Sequence, residues 1–227
     1  MSKIYMRTEN NPIFEASPRT AARVLYLSSF LKKDKNVLYV TQRTKMKFKH
    51  LSHVLGIGQA TTYEFVAEAE RGGLLVETDD GFTLPCFSYK KNECGAQPLT
   101  LNQEGVRALY KSTPTRLIQY VGYVLQACRY INSEWSIMCH NPLESELEYI
   151  EPMTLGEFCD AIGYHRSNAK PLVKNFRAIA FPYDGKQQNF CIFVAGQKKS
   201  DMRIFVNPNI MYTGKHPENV EALGAFF

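Results

Sequence analysis

The sequence lacks any apolar run long enough to cross a membrane. Its longest uncharged stretches, such as 117–128, fall well short of the roughly 18 residues that a membrane helix requires. The opening residues, MSKIYMRTENNP, contain no apolar signal region. We therefore expect a cytoplasmic protein without a membrane partner.

Cysteine is present but unpatterned. The six cysteines are spread along 227 residues without a CxxC pair, in a chain large enough to form a core without disulfides. We expect reduced thiols. With 44% hydrophobic and 22% charged residues, the composition is that of a folded globular protein and not of a disordered one.

Motifs that define common enzymes are also missing. The chain has no GxxxxGK[ST] phosphate loop, no GxSxG elbow and no HExxH pair. His50 and His53 lie three residues apart, and His140 follows Cys139, but no second pair at zinc spacing accompanies either. These absences predict a protein that is not an enzyme, with no cofactor and no metal site.

Positive charge is concentrated in the first half of the chain. The 27 lysines and arginines exceed the 22 acidic residues, giving a net charge of +5. Residues 1–113 carry 16 basic and 11 acidic side chains, whereas residues 114–227 carry 11 of each. Within 32–49, seven basic residues accompany a single acidic one, Asp34. Such an excess attracts polyanions, although a solvated surface explains it equally well.

Two segments repeat without a gap at an offset of 107 residues. They begin at Met46, MKFKHLSHVLGIGQATTYEFVAEAERGGLL, and at Met153, MTLGEFCDAIGYHRSNAKPLVKNFRAIAF. Their apolar positions coincide, and Gly56 aligns with Gly163. Matches on both sides of a shared glycine indicate an internal structural repeat.

Each copy has the pattern of a helix, a tight turn and a second helix. Apolar residues recur at helical spacing on both sides of LGIG in the first copy and of IGYH in the second. A further helix is predicted before each copy, at 19–31 and 115–130. After each copy, β-rich runs flank Asp-Gly turns at 80–81 and 184–185, which predicts hairpins.

This order of elements resembles winged helix-turn-helix proteins, above all in the segment HLSHVLGIGQATTYEFVAEAERGGLL. The segment from Met202, MRIFVNPNIMYTG, is similar to the strand and turn that close the winged-helix domain of RepL-type plasmid or phage replication proteins, and LTLNQEG from Leu99 is its counterpart in the first half. The resemblance implies an α+β fold of two tandem winged-helix domains. With a junction at 112–114, the predicted parts are an N-terminal arm, two domains and a tail: 1–14, 15–112, 113–215 and 216–227.

In a helix-turn-helix the second helix enters the major groove, and its first residues reach base edges. The first copy therefore predicts DNA contacts from the start of its second helix and from lysines upstream: Gln59, Thr61, Thr62 and Tyr63, with Lys45, Lys47 and Lys49. The helix continues with Glu64, Glu68 and Glu70, which repel phosphate unless they face away.

The second copy predicts a more basic contact surface. Its candidate residues occupy the helix start and the two following turns: Arg166, Ser167, Asn168, Lys170 and Lys174, with Lys186, Lys198, Lys199 and Arg203. Arg166, Lys170 and Lys174 recur every four residues, so they share one helical face. Arg166 suits guanine and Asn168 suits adenine. Because proline is tolerated only in the first turn, Pro171 places the helix start near Ser167.

Together these patterns predict a nucleoid-associated, sequence-specific protein that binds double-stranded DNA, as a plasmid or phage replication initiator or as a transcription regulator. The alternative is a protein-interaction adaptor. In that case the acidic first hairpin and the acidic segment 142–152 bind a polymerase or host factor. A second copy of the chain is a further candidate partner.

Overall fold

The computed structural model describes residues 2–32, 35–195, 202–214 and 222–227. It is an α+β fold of short helices and small antiparallel sheets. Its helices are α1 (Pro18–Ser28), α2 (Phe48–Leu55), α3 (Gln59–Arg71), α4 (Gln103–Ser112), α5 (Ile118–Gln126), α6 (Leu155–Ala161) and α7 (Ala169–Arg177). Its strands are β1 (Lys3–Met6), β2 (Leu31–Lys32), β3 (Lys35–Leu38), β4 (Val76–Thr78), β5 (Gly81–Thr83), β6 (Phe87–Ser88), β7 (Leu99–Asn102), β8 (Ala180–Tyr183), β9 (Lys186–Asn189), β10 (Cys191–Val194), β11 (Arg203–Val206) and β12 (Met211–Tyr212).

The predicted helix, turn and helix of the first copy are confirmed as α2 and α3. The His50 ring caps α2 by accepting a hydrogen bond from the Lys47 backbone N–H at 3.0 Å. Gly56 ends the helix in the left-handed region, at φ 65°, which glycine adopts without steric cost. The buried side chains Phe65, Val66 and Ala69 then pack α3 onto the core.

The second copy folds as predicted into α6 and α7, with one difference at the start of α7. Thr154 and Glu157 form a capping box on α6, and Gly163 follows the helix at φ 64°. Residues 166–168 form a separate 3-10 turn, so α7 begins at Ala169 and not near Ser167. Pro171 lies in the first turn of α7, as its missing N–H requires.

Both predicted hairpins are present. β4 pairs with β5 around Asp79 and Asp80, and β8 pairs with β9 around Asp184 and Gly185. In the second hairpin both turn residues have positive φ, 49° and 71°, as in the two-residue turns that match the twist of the strands.

Helices α1 and α5, which precede the two copies, pack antiparallel against each other. Gln126 near the end of α5 donates to the Ala16 carbonyl ahead of α1, at 2.5 Å. Midway along α5, Gly122 meets the Pro18 backbone so closely that a Cβ would lie 1.7 Å from the Pro18 oxygen. The close crossing therefore depends on a glycine at position 122.

A four-stranded antiparallel sheet joins the two halves, in the order β12-β7-β1-β6. The sequence places residues 1–14 in an arm, whereas Lys3–Met6 forms an inner strand that pairs with β6 and β7. β12, from the second half, pairs with β7 through Met211 and Leu101. Buried apolar residues of both halves form one continuous cluster, and the division into domains at 112–114 stays a prediction.

Candidate nucleic-acid interface

The first residues of α3 divide between surface and core. Gln59 is exposed, Thr61 is half-buried, and Tyr63 is 57% exposed with its ring 4.6 Å from that of Phe48. Thr62 is fully buried, and its hydroxyl donates to the Gly58 carbonyl at 3.0 Å. The prediction that Thr62 contacts DNA is therefore corrected, because this side chain belongs to the core.

The predicted lysines upstream of α3 are not equivalent. Lys47 and Lys49 are exposed around the start of α2. Lys45 is bound to Asp80 of the first hairpin at 2.5 Å, and this hydrogen bond raises the pKa of Lys45. The ion pair neutralises part of the acidic hairpin tip. It also leaves Lys47 and Lys49 as the better placed of the three for contact with a polyanion.

The three acidic residues of α3 do not all face solvent. Glu68 faces α1, where it accepts hydrogen bonds from the Ser17 backbone N–H at 2.7 Å and from the Thr20 hydroxyl at 2.7 Å. Burial alone would raise the pKa of Glu68, but these hydrogen bonds outweigh it and the pKa is lowered. Glu64 and Glu70 are exposed. One of the three carboxylates is thus turned inward, and it caps a helix N-terminus.

The 3-10 turn before α7 holds three of the predicted contact residues. Ser167 and Asn168 are exposed, and the Ser167 backbone N–H donates to the His165 ring. Arg166 is exposed as well, but its guanidinium forms a two-pronged ion pair with Asp160 of α6. These hydrogen bonds hold the pKa of Asp160 below its usual value.

This pairing changes the predicted basic face of the second copy. Arg166 does not continue a helical row with Lys170 and Lys174, because it lies on the preceding turn and points to α6. The exposed row of α7 instead comprises Lys170, Lys174 and Arg177, opposite the buried Leu172 and Phe176. Arg177 is the residue that the predicted site omitted, although its spacing from Lys170 places it on the same face.

The structure describes two of the four residues that were predicted as DNA contacts around the hairpins of the second half. Lys186 is exposed beside the turn of β8 and β9, and Arg203 is exposed on β11. Gln188 of β9 is buried, where its side-chain oxygen accepts from Asn207 at 3.1 Å. The predicted residues Lys198 and Lys199 lie outside the described residues.

No group of three or more His, Cys, Asp or Glu side chains within the described ranges is arranged to hold a metal ion. Two of the candidate histidines have other contacts: His50 caps α2, and His140 lies 3.4 Å from Glu157.

All six cysteines are buried free thiols. Burial raises the pKa of Cys94 to about 11 and that of Cys128 to about 12, so both remain protonated at neutral pH. Among the helices of the described ranges, none combines the length and the apolar character of a membrane-spanning segment.

The chain was compared with family models, with curated proteins and with solved structures. No family model, no curated protein and no solved structure matches the chain.

Proposed function

We propose that the protein binds double-stranded DNA in a sequence-specific manner through two winged-helix units, with no cofactor. The observation that carries this proposal is the exposed polar and basic surface of α7 and the turn before it. There Asn168 precedes the row of Lys170, Lys174 and Arg177. The opposite face of α7 is buried in the core.

The physical fit is to the major groove, which is about 12 Å wide and accepts one helix. Residues at the start of a recognition helix meet base edges, whereas those further along approach the phosphates. Asn168 offers the amide pair that recognises adenine. Lys174 and Arg177, two turns on, supply charge to the backbone without sequence information.

The packing of α1 against α5 supports a paired arrangement of the two units. These helices occupy corresponding places before the two copies of the repeat, and they run antiparallel. Antiparallel packing of corresponding helices is what a local two-fold axis produces. If such an axis relates the two units, we expect the starts of α3 and α7 to point in opposite directions along the duplex. Because the residues of the two starts differ, a single chain recognises two unlike half-sites.

Within this class we favour a replication initiator over a transcription regulator. The supporting observation is the resemblance of the segment from Met202 to RepL-type proteins. In the fold this segment supplies β11 and β12, and β12 completes the sheet shared with the first half. If the protein is an initiator, a plasmid that carries the selected site is expected to replicate only when this protein is present. Repression of a promoter alone favours the regulator.

Selection from a random pool of duplex DNA tests the proposal. The full chain is expected to enrich one sequence motif with two dissimilar halves, about one helical turn of ~10 base pairs apart or a multiple of it. A variant with Lys170, Lys174 and Arg177 changed to alanine should enrich none. A pool from which the unmodified chain enriches no motif would contradict the proposal.

A second candidate function, that of a protein-interaction adaptor, is favoured by one surface feature. Three large apolar side chains project from the acidic segment 142–152, with Leu143 60%, Leu147 48% and Tyr149 63% exposed. Glu144, Glu146 and Glu148 alternate with them. Acidic and apolar residues in alternation suit a basic protein surface. Under this alternative the duplex pool yields no motif, whereas a triple alanine variant of the apolar residues loses its protein partner.

A further inference from the structure

A cleft of about 350 Å³ lies behind the first helix-turn-helix. Its walls come from α1, from the turn between α2 and α3, from the end of α4 and from the start of α5. A volume in this range is typical of sites that hold small organic molecules, and it exceeds what a single water or simple ion needs.

Arg23 of α1 is the notable side chain of this cleft. It is only 7% exposed, and its Nε has no hydrogen-bond partner. Its guanidinium packs over the Phe65 ring, with 5.8 Å to the centroid. Buried polar groups nearly always have partners, because leaving one unpaired forfeits its hydrogen bonds to water. Arg23 thus brings a buried guanidinium to the cleft wall. One donor of that group, its Nε, has no acceptor among the described residues, whereas the group also hydrogen-bonds to Tyr110.

Lys111 adds a second cationic side chain to the cleft beside Arg23. His53 adds an imidazole ring, and no acidic residue is among the described residues that line the cleft. Thr115 adds an exposed side chain with a hydroxyl. The acceptor that this lining favours is an oxyanion, since arginine binds phosphate and carboxylate through charge-assisted hydrogen bonds.

One wall of the cleft is aromatic. The rings of Tyr26 and Tyr110 stack with centroids 4.0 Å apart and 3° between their planes. Burial raises the pKa of Tyr110 to about 12, although the charge of Arg23 and its hydrogen bond to Tyr110 act to lower it, so this phenol stays neutral. A neutral aromatic wall beside a buried cation matches a ligand with both an organic body and an anionic group.

We propose that this cleft binds a small organic anion, a phosphate ester or a carboxylate, whose oxyanion pairs with Arg23 and Lys111. Gly56 and Ile57, which line the cleft, also form the turn that sets α3 against α2. Occupancy of the cleft thereby fixes or shifts the helix that faces DNA, and the ligand regulates DNA affinity. This regulatory part rests on the proposed function, whereas the binding part does not.

The test titrates the full chain with four probes at constant ionic strength set by chloride. The probes are a nucleoside 5′-monophosphate, its uncharged nucleoside, inorganic phosphate and citrate. Binding is followed by thermal stability and by amide chemical shifts. At least one organic anion should bind saturably and move the signals of residues around Tyr110. Inorganic phosphate should bind more weakly, and the nucleoside should not bind.

Three variants locate the site. Arg23→Gln and Lys111→Ala should each weaken anion binding, by about tenfold or more for Arg23, because a charge-assisted hydrogen bond is lost. Arg19→Gln, an exposed arginine one turn earlier on α1, should leave binding unchanged. Lys111 is exposed, so its variant reports on the site even if Arg23→Gln does not fold.

Five outcomes decide the proposal. If no organic anion binds beyond the chloride control, or if Arg23→Gln and Lys111→Ala bind as well as the unmodified chain, the proposal is overturned. It is also overturned if Arg23→Gln weakens DNA binding while no free anion binds, since the guanidinium then serves a DNA phosphate. Anion binding without any enriched duplex leaves the cleft in place and removes the proposed function. Anion binding together with an enriched duplex motif, and a DNA affinity that the anion changes, supports both the proposed cleft and the proposed function.

Discussion

At the scale of single residues, side-chain partners decide which polar groups near the helix-turn-helix segments can reach a ligand. The helix-turn-helix pattern predicts Thr62 as a DNA contact, yet Thr62 lies three and four residues before the buried Phe65 and Val66, on the same helical face. Helical spacing alone therefore indicates that the Thr62 side chain faces the core. The pairing of Arg166 with Asp160 depends on how the turn between α6 and α7 folds, and no periodicity in the sequence predicts that.

Glu68 provides a stability test at this scale. We expect Glu68→Gln to lower the free energy of unfolding at pH 7 by roughly 1 kcal/mol, because the carboxylate caps the N-terminus of α1. Because the pKa of Glu68 is lowered in the folded state, its contribution is complete above the ordinary value of 4.5 and is lost as the pH falls through the lower folded value. Urea unfolding from pH 7 to pH 3 measures this.

The control for Glu68 is Glu64→Gln, an exposed carboxylate on the same helix. It should change the free energy of unfolding by less than about 0.5 kcal/mol. An equal loss in both variants, or a difference for Glu68→Gln that does not shrink in acid, would refute the capping role.

Substitutions of Asn168 and Lys174 test the proposed division between sequence recognition and backbone binding. Asn168→Ala should cost roughly 1–3 kcal/mol on the selected site and relax the preference at one or two base pairs. Lys174→Ala should weaken all sequences about equally and reduce the salt slope by about 1. Affinities for selected and scrambled duplexes at two salt concentrations measure both effects.

Lys91→Ala, an exposed lysine outside both helix-turn-helix segments, is the matched control and should change neither quantity. If Asn168→Ala leaves the ratio of specific to scrambled affinity unchanged, α7 is not the recognition helix.

At the scale of elements, local patterns predicted more than long-range pairings did. The two helix-turn-helix segments and both hairpins follow from periodicity and from glycine turns, which act within a few residues. For residues 1–14 the sequence predicts only an arm, because the partners of the strand Lys3–Met6, at 87–88 and 99–102, are far away along the chain. The crossing of α1 and α5 is equally non-local, and Gly122 alone gives no indication of it.

Gly122→Ala tests that crossing. A Cβ there meets backbone that cannot move without displacing α1, so the free energy of unfolding should fall by about 3 kcal/mol. Gly156→Ala in α6 is the control, since its Cβ would lie 3.6 Å from the flexible Arg166 side chain. This second change should be neutral or stabilise by up to about 1 kcal/mol, because alanine favours helix over glycine. Thermal or urea unfolding compares the two, and similar values would refute the close packing.

At the scale of the whole molecule, the halves share one apolar core and one sheet. We expect them to unfold together, since neither half can lose its structure without exposing surface of the other. Trp135, the only tryptophan, reports on the second half, and far-ultraviolet circular dichroism reports on both. The two signals should give the same urea midpoint. Two resolved transitions would show instead that the halves are independent domains.

The central claim is that the basic surface of the two helix-turn-helix segments binds the DNA backbone through several cations at once. The salt dependence of DNA affinity tests this claim most directly. If about six to eight lysines and arginines contact phosphate, the logarithm of the association constant falls with the logarithm of salt concentration at a slope of roughly −5 to −7. The account predicts that slope for the selected duplex between 50 and 200 mM salt, concentrations at which such losses are typically measured. A slope near zero would contradict it.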